Sequence, residues 1–181
     1  MNARIALARA WFPGFLKKRK LLDLIRAAAE AFSVALPDFR GESYAGLLGR
    51  FTDLAEDWSL AAVREGREND VSARLFDNSR RLGQEARRAL RPRNPSEVME
   101  AARVLYTAIG IDFRGDVEGN IRIRHCAFSR RFSPGTCRLM SSMDAGILSG
   151  LAGTGSLAFS ARLTEGAEAC LARLTLGGED S

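Results

Sequence analysis

The residues best suited to chemistry are three cysteines in the second half of the chain. Cys126, Cys137 and Cys170 are the only cysteines present, and a thiolate can act as a nucleophile or bind a metal such as zinc. Their wide separation is unlike the paired Cys-x2-Cys spacing of many structural zinc sites. Three interpretations stay open for these cysteines: zinc ligands, reactive thiols, or small buried apolar side chains.

An aspartate shares a predicted helical stripe with one of these cysteines. Met140, Ser141 and Asp144 follow Cys137 at intervals of three, four and seven residues, so all four lie on one side of the helix. The helix N-terminus stabilises a thiolate, which makes Cys137 the best reactive thiol. Asp144 lies on an otherwise apolar stripe and needs a partner: an arginine, a backbone amide, a ligand or a metal. We predict Cys137 and Asp144 as catalytic candidates, and Met140 and Ser141 as ligand-binding candidates.

The single histidine, His125, lies near the end of a predicted strand. Alternation places it on the apolar face with Ile121 and Ile123, which predicts a buried side chain. The same alternation places Cys126 on the opposite, polar face if the strand stays regular. We include His125 among the ligand-binding candidates, and it could join Cys126 at a metal only if the strand has already ended.

The elements that must position these residues follow from hydrophobic periodicity and turn signals. The first half of the chain has the 3.6-residue period of helices, predicted over 15–35, 43–65, 70–90 and 96–108. The second half predicts strands over 111–113 and 121–126, a helix over 133–151, and strands over 157–163 and 169–176. A polar tail over 177–181 is expected to fray.

Short turns within each predicted strand pair favour a largely antiparallel sheet, so the fold class is α+β. We expect a helical region over 1–94 and an α+β, ligand-binding-like region over 95–181. The sheet would expose a large apolar face if it stood alone. We therefore expect the N-terminal helices to pack on it and the two regions to form one integrated unit.

Composition excludes several classes of protein. The 181 residues are 46% hydrophobic and 27% charged, a balance that excludes disorder. No stretch reaches the roughly 18 apolar residues that a membrane span needs. The odd number of cysteines excludes a complete disulfide framework and favours a reduced, cytoplasmic protein.

The net charge of +5 could suit a nucleic-acid partner. However, the basic pairs are scattered among acidic residues, and neither a helix-turn-helix spacing nor an aromatic RNA-binding motif is present. We expect a solvated, arginine-rich surface without nucleic-acid binding. An interaction module that uses this surface is a further alternative, as is a homodimer.

Several short motifs of the second half are similar to those of a known family. These are His125-Cys126-Ala127-Phe128-Ser129, Cys137, Asp144-Ala145-Gly146, Gly150-Leu151, and the segment from Glu165 to Cys170. Together they resemble the L-2-amino-thiazoline-4-carboxylate hydrolase-like family and, more distantly, the 4-vinyl reductase domain, over residues 105–176.

The resemblance implies an α+β domain that binds a small molecule or a metal, or that hydrolyses a small cyclic amidine-like substrate. It carries these roles to Cys126, Cys137, Asp144 and Cys170. The leading hypothesis is a cytoplasmic small-molecule-binding domain with a sensor or accessory role. The alternative is a hydrolase that acts on a carbon–nitrogen bond of a small heterocycle, with Cys137 as nucleophile or metal ligand. Zinc held by Cys126, Cys137 and Cys170 is the cofactor to test.

Overall fold

The computed structural model describes residues 2–176, which form six α-helices, one 3-10 turn and one four-stranded sheet. The helices are α1 (Ala3–Ala10), α2 (Gly14–Phe32), α3 (Tyr44–Arg64), α4 (Glu68–Leu90), α5 (Pro95–Ala108) and α6 (Pro134–Ala152). The strands are β1 (Ile111–Gly115), β2 (Asn120–Cys126), β3 (Gly155–Ala161) and β4 (Cys170–Leu176), and the 3-10 turn is Leu163–Glu165.

The sheet has the strand order β1-β2-β4-β3, and every neighbouring pair is antiparallel. The alternation predicted for the last strand is confirmed, because Cys170, Ala172 and Leu174 are buried while Leu171 and Arg173 are exposed. The predicted α+β class with a largely antiparallel sheet is confirmed.

Helices cover one face of this sheet and share a continuous apolar core with it. The core extends from Ile5 in α1 to Leu174 in β4. Helix α6 lies at its centre, in contact with α3, α4 and α5 as well as with β3. Ser133 caps α6 by accepting a hydrogen bond from the Thr136 amide, and Pro134 follows at the first helical position, as the sequence predicts.

Small residues bring α4 and α6 into direct backbone contact. A Cβ added to Gly146 would lie 2.3 Å from the Phe76 carbonyl oxygen, and one added to Gly150 would lie 2.2 Å from that of Arg80. On the opposing helix, a Cβ at Gly83 would lie 2.2 Å from the Ile147 carbonyl oxygen. These spacings leave no room for a side chain, so the three glycines set how closely the helices approach.

Sequence periodicity missed α1 and placed the third strand two residues too late, at 157–163 instead of Gly155–Ala161. Helix α1 is only eight residues long and buries Ile5 alone, so its apolar pattern is weak. Tertiary contacts hold it, since the Asn2 side-chain amide donates to the Leu90 carbonyl at 2.9 Å and Arg9 pairs with Glu100 at 3.3 Å. The predicted tail at 177–181 lies outside the described residues. Among the helices of residues 2–176, none has the length and apolarity to cross a bilayer.

Gly146→Ala should lower the free energy of unfolding by about 1–3 kcal/mol, because the added methyl group overlaps a backbone oxygen that cannot move aside alone. Urea unfolding followed by circular dichroism measures this. Gly135→Ala is the matched control on the same helix, because a Cβ there meets nothing within 4 Å. It should leave the free energy unchanged or raise it by up to about 1 kcal/mol. Equal stability of the two variants would contradict the close-packing account.

Candidate active site or ligand site between helix and sheet

A cavity of about 80 Å³ lies between α6 and the sheet, and all three cysteines line it. We call it the thiol cavity. Its polar lining consists of Ser129, Ser141, Asp144 and Thr164 beside the three cysteines. Its apolar lining consists of Leu24, Phe51, Ile109, Ile111, Phe128, Phe132, Met140, Met143, Ile147 and Leu163. Six of the seven residues singled out from the sequence therefore lie around one space, and His125 does not.

A β-bulge determines which residues at the C-terminal end of β2 face this cavity. Phe113 pairs with Ile123, but Ile111 pairs with Cys126, so one residue of β1 opposes two of β2. The extra residue reverses the alternation beyond Ile123. Cys126 therefore reaches the cavity, whereas regular alternation had placed it on the polar face. The prediction that His125 is buried on the apolar face is wrong, because the bulge leaves its side chain exposed.

Asp144 finds a partner that the sequence did not suggest. The Tyr106 hydroxyl donates to Asp144 Oδ1 at 2.9 Å, and the Tyr106 ring stacks on Phe113 with 4.9 Å between ring centroids. Tyr106 is buried, so the hydrogen bond holds a fixed geometry. The pattern that could have indicated it is a tyrosine, which needs a partner for its hydroxyl, in an otherwise apolar helix stripe.

Burial raises the pKa of Asp144 to about 6, although the hydrogen bond from Tyr106 and the charge of Arg162 both oppose the rise. Removal from water penalises the charged form, and here that penalty exceeds the two favourable interactions. Burial also raises the pKa of Tyr106 well above its ordinary range, and the neighbouring Asp144 charge adds to the effect. Asp144 is therefore a carboxyl group that changes protonation near neutral pH inside a cavity.

Arg162 is a second residue that sequence reasoning missed. It follows β3, and its guanidinium donates to Ser141 Oγ at 2.6 Å while lying 4.1 Å from the Phe159 ring centroid. Ser141 in turn donates to the Cys137 carbonyl at 2.6 Å. The predicted strand ran through residue 162 and gave no signal for this position. Because β3 ends at Ala161, Arg162 leaves the strand alternation and its side chain reaches α6.

The cysteines are free thiols that differ in their surroundings. Burial raises the pKa of Cys126 to about 12, and the nearby Asp144 and Cys170 add to the rise. Burial raises the pKa of Cys170 as well, although its sulfur accepts a hydrogen bond from the Leu163 amide at 3.3 Å. These two cysteines therefore remain neutral thiols near neutral pH.

The three thiols share a cavity without forming a metal-ligand set. Over residues 2–176, no group of three or more His, Cys, Asp or Glu side chains is arranged to hold a metal ion. The zinc interpretation of Cys126, Cys137 and Cys170 thus finds no support in this geometry.

One hydroxyl in the cavity wall lacks a partner. Thr164 Oγ1 is buried and makes no hydrogen bond with any described residue. A buried hydroxyl without a partner is costly. Asp144 Oδ1 accepts from Tyr106, whereas its second oxygen, Oδ2, accepts no hydrogen bond from residues 2–176. Asp144 Oδ2 and, after rotation about χ1, the Thr164 hydroxyl are therefore the polar groups that a molecule in the cavity can engage.

A second, more apolar cavity of about 190 Å³ adjoins the first. Leu24, Ile109 and Ile147 line both cavities and form the partition between them. The ring of Tyr106 lines the second cavity while its hydroxyl binds Asp144 in the wall of the first. Apolar side chains thus separate the two cavities, and one hydrogen bond joins a residue in the wall of each.

Comparison of the chain with protein-family models, with curated proteins and with solved structures found no match. The resemblance of residues 105–176 to the L-2-amino-thiazoline-4-carboxylate hydrolase-like family therefore stays a prediction.

Asp144→Asn should change how stability depends on pH. The pKa of Asp144 is about 6 in the folded protein against an ordinary value of 3.8, so the folded state binds more protons between these values and wild-type stability declines as the pH rises. At about 1.4 kcal/mol per pKa unit, the wild type should lose up to about 3 kcal/mol relative to Asp144→Asn from about pH 4 to about pH 7. Urea unfolding at a series of pH values measures this difference.

Asp57→Asn is the control for this measurement, because Asp57 is an exposed carboxylate on α3. A plot of its free energy of unfolding against pH should run parallel to that of the wild type. A parallel curve for Asp144→Asn as well would show that folding does not raise the pKa of Asp144.

Proposed function

We propose that the protein binds a small molecule in the thiol cavity, and that it acts as a sensor or accessory domain. The ligand is apolar over most of its surface and carries a hydrogen-bonding group. The observation that carries this proposal is the pairing of an apolar cavity with two polar atoms that residues 2–176 leave unpartnered, Asp144 Oδ2 and Thr164 Oγ1.

The apolar wall supplies affinity without strong selectivity. Phe51, Phe128 and Met143 are buried side chains that line the cavity. A ligand placed against them removes apolar surface from water, at about 25 cal/mol per Å². Such a surface favours any apolar molecule of suitable size, so the choice of ligand depends on the polar atoms.

The polar atoms favour a heterocycle that has both an N–H group and an acceptor nitrogen. Ionised Asp144 can accept the N–H at Oδ2, and the Thr164 hydroxyl can donate to the second nitrogen. Binding would then satisfy a hydroxyl that is otherwise buried without a partner. A hydrocarbon of the same shape would leave both groups unsatisfied and should bind less tightly.

Size constrains where such a ligand can lie. A cavity of about 150 Å³ holds a benzene molecule, so the thiol cavity, at about 80 Å³, holds only the polar end of a ligand. We place the apolar part across the partition, in the adjoining cavity of about 190 Å³. This arrangement requires the side chains of Leu24, Ile109 and Ile147 to move aside.

Thermal-shift measurements with imidazole, benzimidazole and the hydrocarbon indene test the proposal. The melting temperature should rise with benzimidazole, because binding to the folded state alone stabilises it by mass action. Indene should stabilise less, since it has no nitrogen for Asp144 or Thr164. Thr164→Val should reduce the benzimidazole shift and keep the smaller indene shift.

Ser59→Ala is the matched control for Thr164→Val. Ser59 Oγ is also buried and unpartnered among the described residues, but Ser59 does not line the thiol cavity. Its removal should alter intrinsic stability without changing the ligand-induced shift. Equal shifts for benzimidazole and indene in the wild type, or no shift with any of the three compounds, would overturn the proposal.

A hydrolase is the second candidate, because a carboxyl group with a pKa of about 6 and a free thiol line the same cavity. Cys137 would attack the amidine carbon, the ring carbon–nitrogen bond would break, and water would then release the product from the sulfur. The thiol proton would pass through water to ionised Asp144, two helical turns away, and from there to the leaving nitrogen. Cys137 is the only one of the three thiols that lies in the first turn of a helix.

If the protein hydrolyses a cyclic amidine such as 2-amino-thiazoline-4-carboxylate, Cys137→Ser and Asp144→Asn should each reduce turnover by at least about 100-fold. Ring opening followed by absorbance or chromatography measures it. Cys126→Ser is the control and should retain turnover, because the pKa of Cys126 is raised to about 12 and its thiol stays neutral. Unchanged turnover in Cys137→Ser would remove this candidate.

A further inference from the structure

The positive charge of this chain is concentrated at its N-terminal end. Residues 1–22 contain six basic side chains and no acidic one, and the first acidic residue is Asp23. Residues 23–181 hold the other 21 basic side chains together with all 22 acidic ones. The net charge of +5 therefore arises entirely from α1, the turn after it and the start of α2.

The most exposed large apolar side chains lie in the same segment. Leu7 is 66% exposed, Trp11 64% and Phe15 67%, and every other large apolar side chain of the described residues is exposed by 55% or less. We call Leu7, Trp11 and Phe15 the apolar patch. The intervening Phe12, by contrast, packs against the core and lines the adjoining cavity of about 190 Å³.

The basic residues beside the apolar patch are only partly neutralised. Lys20 pairs with Asp23 at 3.2 Å, and Lys18 donates to the Glu42 carbonyl at 2.5 Å. Lys17 and Arg19 form no ion pair within residues 2–176. These two cations follow Phe15 on α2 by two and four residues.

We propose that the apolar patch and the basic segment 17–20 bind the surface of an anionic phospholipid bilayer. Tryptophan is favoured at the boundary between headgroups and acyl chains, and phenylalanine and leucine insert just below it. Lysine and arginine near that boundary are attracted to anionic headgroups. The charge of this segment favours an anionic surface over an uncharged one, because only Arg9 and Lys20 of its six basic side chains pair with a carboxylate among residues 2–176.

The residues substituted to test this site, Trp11, Phe15, Lys17 and Arg19, line neither of the two cavities that the proposed ligand would occupy. The thiol cavity is lined by none of residues 2–23, so substitutions in the apolar patch leave that cavity intact. The adjoining cavity of about 190 Å³ has Ala8, Phe12 and Lys20 in its wall. Membrane contact would therefore place the bilayer beside this adjoining cavity and away from the three cysteines of the thiol cavity.

Trp11 supplies a direct probe. The chain has two tryptophans, and Trp58→Phe leaves Trp11 as the only one. Vesicles of phosphatidylcholine mixed with phosphatidylglycerol should shift the emission of this variant to shorter wavelength, because the exposed indole enters a less polar environment. Vesicles of phosphatidylcholine alone should cause little shift. Added salt should weaken binding, since it screens the exposed charges.

Two pairs of variants separate the apolar and the charged contributions. The double variant Trp11→Ser with Phe15→Ser should lose vesicle binding in a co-sedimentation assay, while the matched double variant Leu60→Ser with Val63→Ser on α3 should keep it. Lys17→Gln with Arg19→Gln should weaken binding by about fivefold for each cation removed. The equal charge change made by Arg122→Gln with Arg124→Gln, on the exposed face of β2, should have little effect.

Other outcomes overturn the proposal. One is the absence of binding to anionic vesicles at low salt by protein whose circular dichroism is native. Another is equal weakening by the β2 variants, which would indicate net charge without a defined site. A dimer by light scattering that Trp11→Ser with Phe15→Ser converts to monomer, with vesicle binding unaffected, would assign the apolar patch to a second copy of this chain.

Discussion

Helices α4 and α6 approach so closely that Gly83 on one and Gly146 and Gly150 on the other leave no space for a Cβ. Backbone atoms in contact cannot adjust as side chains can, so this contact fixes the position of α6 against the helical layer. Arg87 of α4 adds to it by donating to the last carbonyls of α6, at 2.9 Å for Leu151 and 2.6 Å for Ala152. Every feature of the thiol cavity depends on where α6 is held.

The position of α6 sets the environment of Asp144 and so the chemistry that this carboxyl group can do. Helix α6 carries this carboxyl group into the layer between helices and sheet, where loss of water raises its pKa to about 6. Tyr106 of α5 fixes one oxygen, and Arg162 reaches across from the end of β3 to Ser141 on the same helix. Residues from two distant parts of the chain thus converge on one side of α6. The result is a polar end in an otherwise apolar space, which suits recognition of a small molecule.

Helix α1 differs from the other helices in how little of it is buried. Helix α1 contributes one buried residue, Ile5, and depends on hydrogen bonds to α4 for its position. Its other apolar side chains, together with Trp11 and Phe15, contribute little to the core. Helix α1, which is held by few contacts, and the basic start of α2 are together suited to contact with something outside the fold.

The sequence by itself determined the α+β class, the antiparallel sheet and the cap of α6, because these depend on local periodicity and turn residues. It also identified Cys137, Asp144 and Cys170, whose directions follow from regular helix and strand geometry. Tertiary structure alone decided the rest. A bulge opposite Asp112 turned Cys126 inward and His125 outward, and a strand that ends at Ala161 freed Arg162 to reach Ser141. Both depend on pairing between distant segments, which no local pattern encodes.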